Sequence, residues 1–142
     1  MARILLVDDD APLREMFAFA LTSEGFDVAE AADGQIAFDS LRQQRSDLVV
    51  SDINMPVMDG YELLTKIRQE PSLALLPVIL MTARPAFSGL RKGMGMGADD
   101  YLPKPFSIPE LVAVVQQQLG KRASLRSESD RELQSLRESI SL

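Results

Sequence analysis

Residues 49–64 read VVSDINMPVMDGYELL. The apolar run beginning at Val49 stops on the carboxylate of Asp52, Asn54-Met55-Pro56 turns the chain, and Asp59-Gly60 opens an amphipathic segment. In that segment Leu63, Leu64 and Ile67 recur at helical spacing, and Glu62 stands three residues after Asp59, the spacing of a capping box. Strand, turn and amphipathic helix in succession make the unit from which parallel α/β sheets are assembled. The chain ends this strand on a charged group, at the edge of its own interior.

The same unit recurs on either side. Ile4–Val7, Leu48–Val50 and Val78–Met81 are continuous apolar runs, as expected for strands covered on both faces. Phe26–Ala29 and Tyr101–Leu102 are weaker strand candidates. Between them, Leu13, Met16, Phe17, Ala20 and Leu21 keep the 3.6-residue period, with Asp10 as cap and Pro12 in the first turn. Ile36, Ala37 and Leu41 mark a helix after Asp33. Leu111, Val114, Val115 and Leu119 mark another, opened by Ser107 and Glu110 at capping-box spacing. Strand and helix alternate five times, the pattern of a doubly wound α/β domain.

The helix due after Thr82 is poorly specified, because Gly89, Gly93, Gly95 and Gly97 each cost about 1 kcal/mol relative to alanine in a helix interior. Residues 93–98, GMGMGA, match G-x-G-x-x-A formally, but they precede a strand instead of following one, so no dinucleotide site is assigned there. After Gly120 the composition turns polar. The expected division is a folded domain over residues 1–120 and a linker or tail over 121–142. In the tail Leu133, Leu136 and Ile140 fit a short amphipathic helix.

With 142 residues the chain fits one domain, and its net charge of −6 argues against nucleic-acid binding by this segment. It has no apolar run long enough to span a membrane and no signal-like start, and it lacks cysteine; a cytoplasmic location is expected. It also lacks histidine, which excludes Ser-His and Cys-His catalysis, histidine-ligated zinc and a phosphohistidine intermediate among these residues.

Ligands of doubly wound sheets collect outside the carboxyl ends of the strands. Asp8, Asp9 and Asp10 follow the first strand, Asp52 ends the third, Thr82 ends the fourth and Lys104 follows the fifth. Clustered carboxylates raise one another's pKa and call for a counter-charge, which a hard divalent cation supplies. Lys104 could balance the remaining charge or hold an anion. Each residue also has a plainer explanation: Asp10 as a helix cap, Asp8 and Asp9 as solvated turn residues, Asp52 as a turn former, Thr82 as a strand residue, Lys104-Pro105 as a loop. Their joint placement on one rim is harder to explain that way.

The segments LLVDDD (5–10), SDINMPVMDG (51–60), VILMTA (78–83) and YLPKPF (101–106) resemble the receiver domain of two-component response regulators, over about Arg3 to Leu119. The resemblance implies a flavodoxin-like (βα)5 fold with strand order 2-1-3-4-5. It implies Asp52 as phosphoacceptor, attacking a phosphohistidine on a histidine kinase or histidine phosphotransfer protein. It implies Mg2+ bound directly by Asp9 and Asp52, through water by Asp8, and by the Asn54 backbone carbonyl. Thr82, the Ala83 amide and Lys104 would hold the phosphoryl oxygens, and Lys104-Pro105 would be cis. Thr82 and Tyr101 would form the switch, altering a face built from the fourth helix, fifth strand and fifth helix to control an output module or partner. Tyr101 reads equally well as a partly buried strand aromatic. Arg84 and Asn54 flank the phosphoryl site, where the family tunes hydrolysis.

Two other classes compete. A haloacid-dehalogenase-like phosphohydrolase also uses a strand-end aspartate, but it needs an acid-base aspartate two residues on, where this chain has Asn54. A receiver-like scaffold that is never phosphorylated would not require Asp8, Asp9, Asp52, Thr82 and Lys104 together. The tail resembles linker helices that join receivers to output modules or lead into histidine kinases, which would make this the N-terminal receiver of a longer protein; it reads equally well as a frayed, solvated tail. A homodimer through so short a seam stays open.

Overall fold

The computed structural model describes residues 1–83 and 97–121. The helix expected after Thr82, its glycines before Gly97 and Arg84 lie outside them, as does the tail beyond residue 121.

Five parallel strands form one sheet in the order β2-β1-β3-β4-β5. They are β1 (Arg3–Val7), β2 (Asp27–Ala31), β3 (Leu48–Asp52), β4 (Val78–Thr82) and β5 (Asp100–Pro103). Helices α1 (Ala11–Ser23), α2 (Gly34–Gln43) and α3 (Gly60–Gln69) are joined by a further helix over residues 108–121. The order and direction are those the sequence led us to expect.

Alternation along the central strands divides the interior into two layers. Leu5, Val7, Val49, Val78 and Leu80 face Leu41 of α2 and Leu63, Leu64 and Ile67 of α3. Ile4, Leu6, Val50, Ile79 and Met81 face Phe17 and Leu21 of α1 and Leu111 and Val115 of the helix over 108–121. All residues of β3 and β4 are buried, which is why both read as unbroken apolar runs. The edge strand β2 starts one residue later than expected and runs on to Ala31, because only Ala31 in it is fully buried and the apolar signal is weak there.

The caps at Asp10, Asp59 and Ser107 form where spacing placed them, and Asp33 adds one that the sequence reading had not assigned. Asp10 accepts from the Leu13 N–H at 3.2 Å, Asp33 from Ile36 at 2.9 Å and Ser107 from Glu110 at 3.2 Å. In α3 the Asp59 carboxylate accepts from the Glu62 N–H at 2.8 Å while the Glu62 side chain reaches back to the Asp59 N–H at 3.4 Å. Each cap starts its helix at the sheet edge where the strands end, so all the connecting loops of interest converge there.

The opposite edge is tied by Arg68. Its guanidinium donates to the carbonyls of Gly97 (2.7 Å), Leu76 (2.6 Å) and Ala74 (3.3 Å) and pairs with Asp99 at 2.7 Å. The same Asp99 oxygen accepts from the Val78 N–H at 2.8 Å. Arg68→Ala strands these carbonyls together and is expected to lower stability by about 2–4 kcal/mol in urea unfolding. No helix among the described residues is long and apolar enough to cross a membrane.

Candidate functional site

The site grows out of the carboxyl ends of β1, β3, β4 and β5. β3 ends on Asp52, which is 9% exposed, and the Ile53 N–H donates back to its Oδ1 at 2.9 Å. One carboxylate oxygen is thereby held by the backbone, leaving Oδ2 turned to Lys104 Nζ at 3.6 Å. Lys104 also reaches Asp8 Oδ2 at 3.3 Å. Asp8 is fully buried, Asp9 beside it is exposed, and one oxygen from each of Asp8, Asp9 and Asp52 lies within 4.8 Å of the others. These four residues, remote in sequence, share one neighbourhood.

Helix α3 presses against the end of β3. The Gly60 N–H donates to the Ile53 carbonyl at 2.8 Å, and a Cβ on Gly60 would lie 2.8 Å from Ile53 Cα and closer still to the Asp52 carbonyl. Gly34 opens α2 in the same manner: its N–H donates to the Met58 carbonyl at 3.1 Å, and a Cβ there would stand 2.6 Å from that oxygen. Between them Val57 holds φ at 68° with 78% exposure, a strained conformation for a β-branched residue.

Electrostatics follow from the crowding. Burial pushes the Asp52 carboxyl above the ordinary carboxylate range; Asp8 and Asp9 add to the rise, and Lys104 and the Ile53 N–H partly oppose it. An anionic cluster with one amine is under-compensated, which suits a dication. The oxygens of Asp8, Asp9 and Asp52 lie within 4.8 Å of one another, a span that a dication keeping some of its waters would fit. The donor set, all carboxylate oxygens, is that of a hard cation.

The remaining expected residues are placed as follows. Thr82 ends β4, is 4% exposed, and lies one residue beyond the Asp52–Met81 pairing, so it sits on the same rim. Its carbonyl accepts from the Lys104 N–H. Ala83 follows, exposed, and the Lys104-Pro105 peptide is cis. Asn54 is exposed in the turn after Asp52. Tyr101 is half-buried on β5 and packs with Tyr61 against the α2–α3 side of the core. The Tyr61 phenol is pushed up to about 12, chiefly by burial and then by the Tyr101 hydroxyl beside it.

Two features escaped the sequence. Arg14, which reads as a surface helix residue, donates to the Asp8 carbonyl at 2.7 Å. An apolar groove of about 370 Å³, with Leu13, Met16 and the stacked rings of Phe17 and Phe106 in its wall, opens directly beside Lys104 and Ala83.

Comparison with known proteins agrees with this geometry. The response regulator receiver domain family matches residues 4–116. The probable transcriptional regulatory protein TcrX of Mycobacterium tuberculosis is 44% identical over 110 residues, covering 77% of this chain and 46% of that protein. The chain thus spans about half the length of the curated relatives it matches. Among solved structures, the chemotaxis protein CheY4 of Vibrio cholerae superposes with a TM-score of 0.79 at 33% identity, covering 82% of this chain and 98% of that one. The receiver domain of the sensor histidine kinase PA1611 of Pseudomonas aeruginosa, with a magnesium ion coordinated in its active-site cleft, gives 0.78 at 34% identity, with 84% and 98% covered.

The chain belongs to the receiver domain family of response regulators, the phosphoacceptor switches of two-component signalling. Members bind Mg2+ at an acidic pocket, interact with histidine kinases and are not enzymes in the ordinary sense.

Proposed function

We propose that this receiver accepts a phosphoryl group on Asp52 from a phosphohistidine of a histidine kinase or histidine phosphotransfer protein. The observation that carries the reading is the convergence of Asp52, Asp8, Asp9 and Lys104, with Asp52 Oδ2 turned to the amine at 3.6 Å. An Asp52 oxygen attacks phosphorus, the P–N bond breaks, and its electron pair leaves with the imidazole, which is protonated. The product is an aspartyl phosphate. The chain contains no histidine, so the donor lies outside these residues.

Magnesium, when bound, offsets the negative charge of the phosphoryl group and the carboxylates; Asp9, Asp52, the Asn54 carbonyl and, through water, Asp8 would hold it. The chain's own residues do the rest. The Ile53 N–H keeps the Asp52 carboxylate oriented, Lys104 holds a phosphoryl oxygen as a point charge, and the Thr82 hydroxyl and Ala83 N–H take another. Thr82 moving toward the phosphate, with Tyr101 following, would pass the signal to an attached module or partner on the β5 side. The apolar groove beside Lys104 favours a protein donor, which can bury that surface, over a small one.

Catalysis is confined to the chain's own phosphorylation and dephosphorylation. Asn54 cannot act as acid or base, which disfavours a phosphohydrolase. The net charge of −6 argues against nucleic-acid binding by this segment, and we assign any output to residues beyond it.

The test is incubation with magnesium and acetyl phosphate, followed by intact mass. Gain of one phosphoryl group by the parent chain alone, and none by Asp52→Asn, supports the reading. Equal gain by both moves the site elsewhere; no gain by either favours a scaffold; turnover of external phosphoesters without self-labelling favours a hydrolase.

A further inference from the structure

We propose that Arg14 is a positioning residue for the acidic pocket: with Glu30 as its anchor, it clamps the backbone of the turn that carries Asp8 and Asp9. The inference rests on the magnesium-dependent reading above and adds to it a residue outside the metal and phosphoryl contacts.

Asp8 is held at every polar atom. Its N–H donates to the Ala31 carbonyl at 3.1 Å, Oδ1 accepts from the Asp10 N–H at 3.0 Å and Oδ2 takes Lys104 at 3.3 Å. Its carbonyl accepts from Arg14 Nη1 at 2.7 Å, the shortest of the four. The guanidinium is held in turn: Nε donates to Glu30 of β2 at 3.1 Å, and the side chain is only 15% exposed. Arg14 sits in the first turn of α1, its own N–H bonded to the Asp10 carbonyl at 2.8 Å, so the clamp is carried by a formed helix. It joins α1, the β1–α1 turn and the neighbouring strand at one point.

The turn needs such a clamp. Mutual repulsion among Asp8, Asp9 and Asp52 pushes the first two away from the third, and the oxygens must stay within a few ångströms for an octahedral cation with strict geometry. Displacing the turn separates the carboxylates; holding its backbone keeps them converged before the cation arrives.

Charge and position predict opposite signs, which makes the role measurable. If Arg14 acted only as a charge, Arg14→Ala would remove a repelling cation and tighten magnesium binding. If it positions the turn, Arg14→Ala weakens binding, by about tenfold as for other outer-shell partners of metal ligands. Isothermal titration calorimetry with magnesium chloride at fixed ionic strength reads the difference. Arg14→Lys keeps the charge but cannot bridge Asp8 and Glu30 with one planar fork, so it should fall between parent and alanine. Glu30→Gln should weaken binding in the parent and have no effect in the Arg14→Ala background, since it acts through Arg14. Arg68→Ala, destabilised at the opposite edge, should bind magnesium as the parent does. Unchanged or tighter binding by Arg14→Ala overturns the inference while leaving the phosphoacceptor reading intact. Equal weakening by Arg68→Ala also overturns it, because general loosening then suffices. A parent chain that binds no magnesium removes both.

Discussion

Asp52→Asn is expected to take up no phosphoryl group, yet to be the more stable protein at neutral pH without magnesium. The two outcomes share one cause. The carboxylate that the chemistry needs is held where burial, Asp8 and Asp9 oppose its ionisation, and Lys104 and the Ile53 N–H do not fully make up the difference. Because its pKa is raised in the folded state, protonated Asp52 favours folding. That contribution is complete below the unfolded value near 3.8 and is lost as pH rises through the folded value. Asparagine resembles the protonated form at every pH. The stability gap between variant and parent should therefore be widest at neutral pH and close as the solution is acidified toward 3.8. Chemical unfolding of both chains across that range measures the gap directly. Magnesium should reverse the ranking: at a hundred times its dissociation constant, a cation that binds only the folded parent adds about 2.7 kcal/mol. A gap that does not vary with pH would mean that Asp52 is not disfavoured as an anion.

The second large effect is expected at Lys104. Lys104→Met removes the amine that lies 3.3 Å from Asp8 and 3.6 Å from Asp52. Phosphoryl uptake from acetyl phosphate should slow by about 100- to 1000-fold, the usual cost of deleting one preorganised group that meets developing charge. Magnesium affinity should move the other way, because Lys104 competes with the cation for the same carboxylates. Loss of rate combined with tighter metal binding separates a role in transfer from a role in building the pocket. Uptake within a fewfold of the parent would remove Lys104 from the reaction. Lys104→Arg should restore little, since a planar fork does not occupy the place of a compact ammonium group.

Much of this architecture was legible beforehand, for reasons that can be named. β3 and β4 are buried on both faces, so their residues had to be apolar, and the run ending at Asp52 could be read without its partners. Asp10, Asp59 and Ser107 satisfy donors three residues away, an interaction that sequence spacing displays directly. Strand ends in a parallel sheet share one rim, which brought Asp8, Asp9, Asp52 and Lys104 into one frame despite their separation. What stayed hidden depends on distant or conformational partners. Arg68 meets Gly97 and Asp99 across 29 and 31 residues, and Arg14 meets Glu30 across 16. Nothing local to Val57 announces φ of 68°, because residue type argues against it. β2 was the least well bounded strand because half-exposed edge residues leave little apolar pattern to read.

Gly34 and Gly60 carry a mechanical consequence. Each brings the first turn of a helix into direct bearing on a carbonyl of the β3–α3 region, Met58 for one and Asp52 for the other, with no room even for a methyl group between. There is no slack in that train of contacts. A push on the Asp52 backbone meets the start of α3 directly, and a push on Met58 meets the start of α2, so a helix resists displacement at either point. Thr82 and Tyr101, the switch proposed above, lie outside these two close approaches, on β4 and β5.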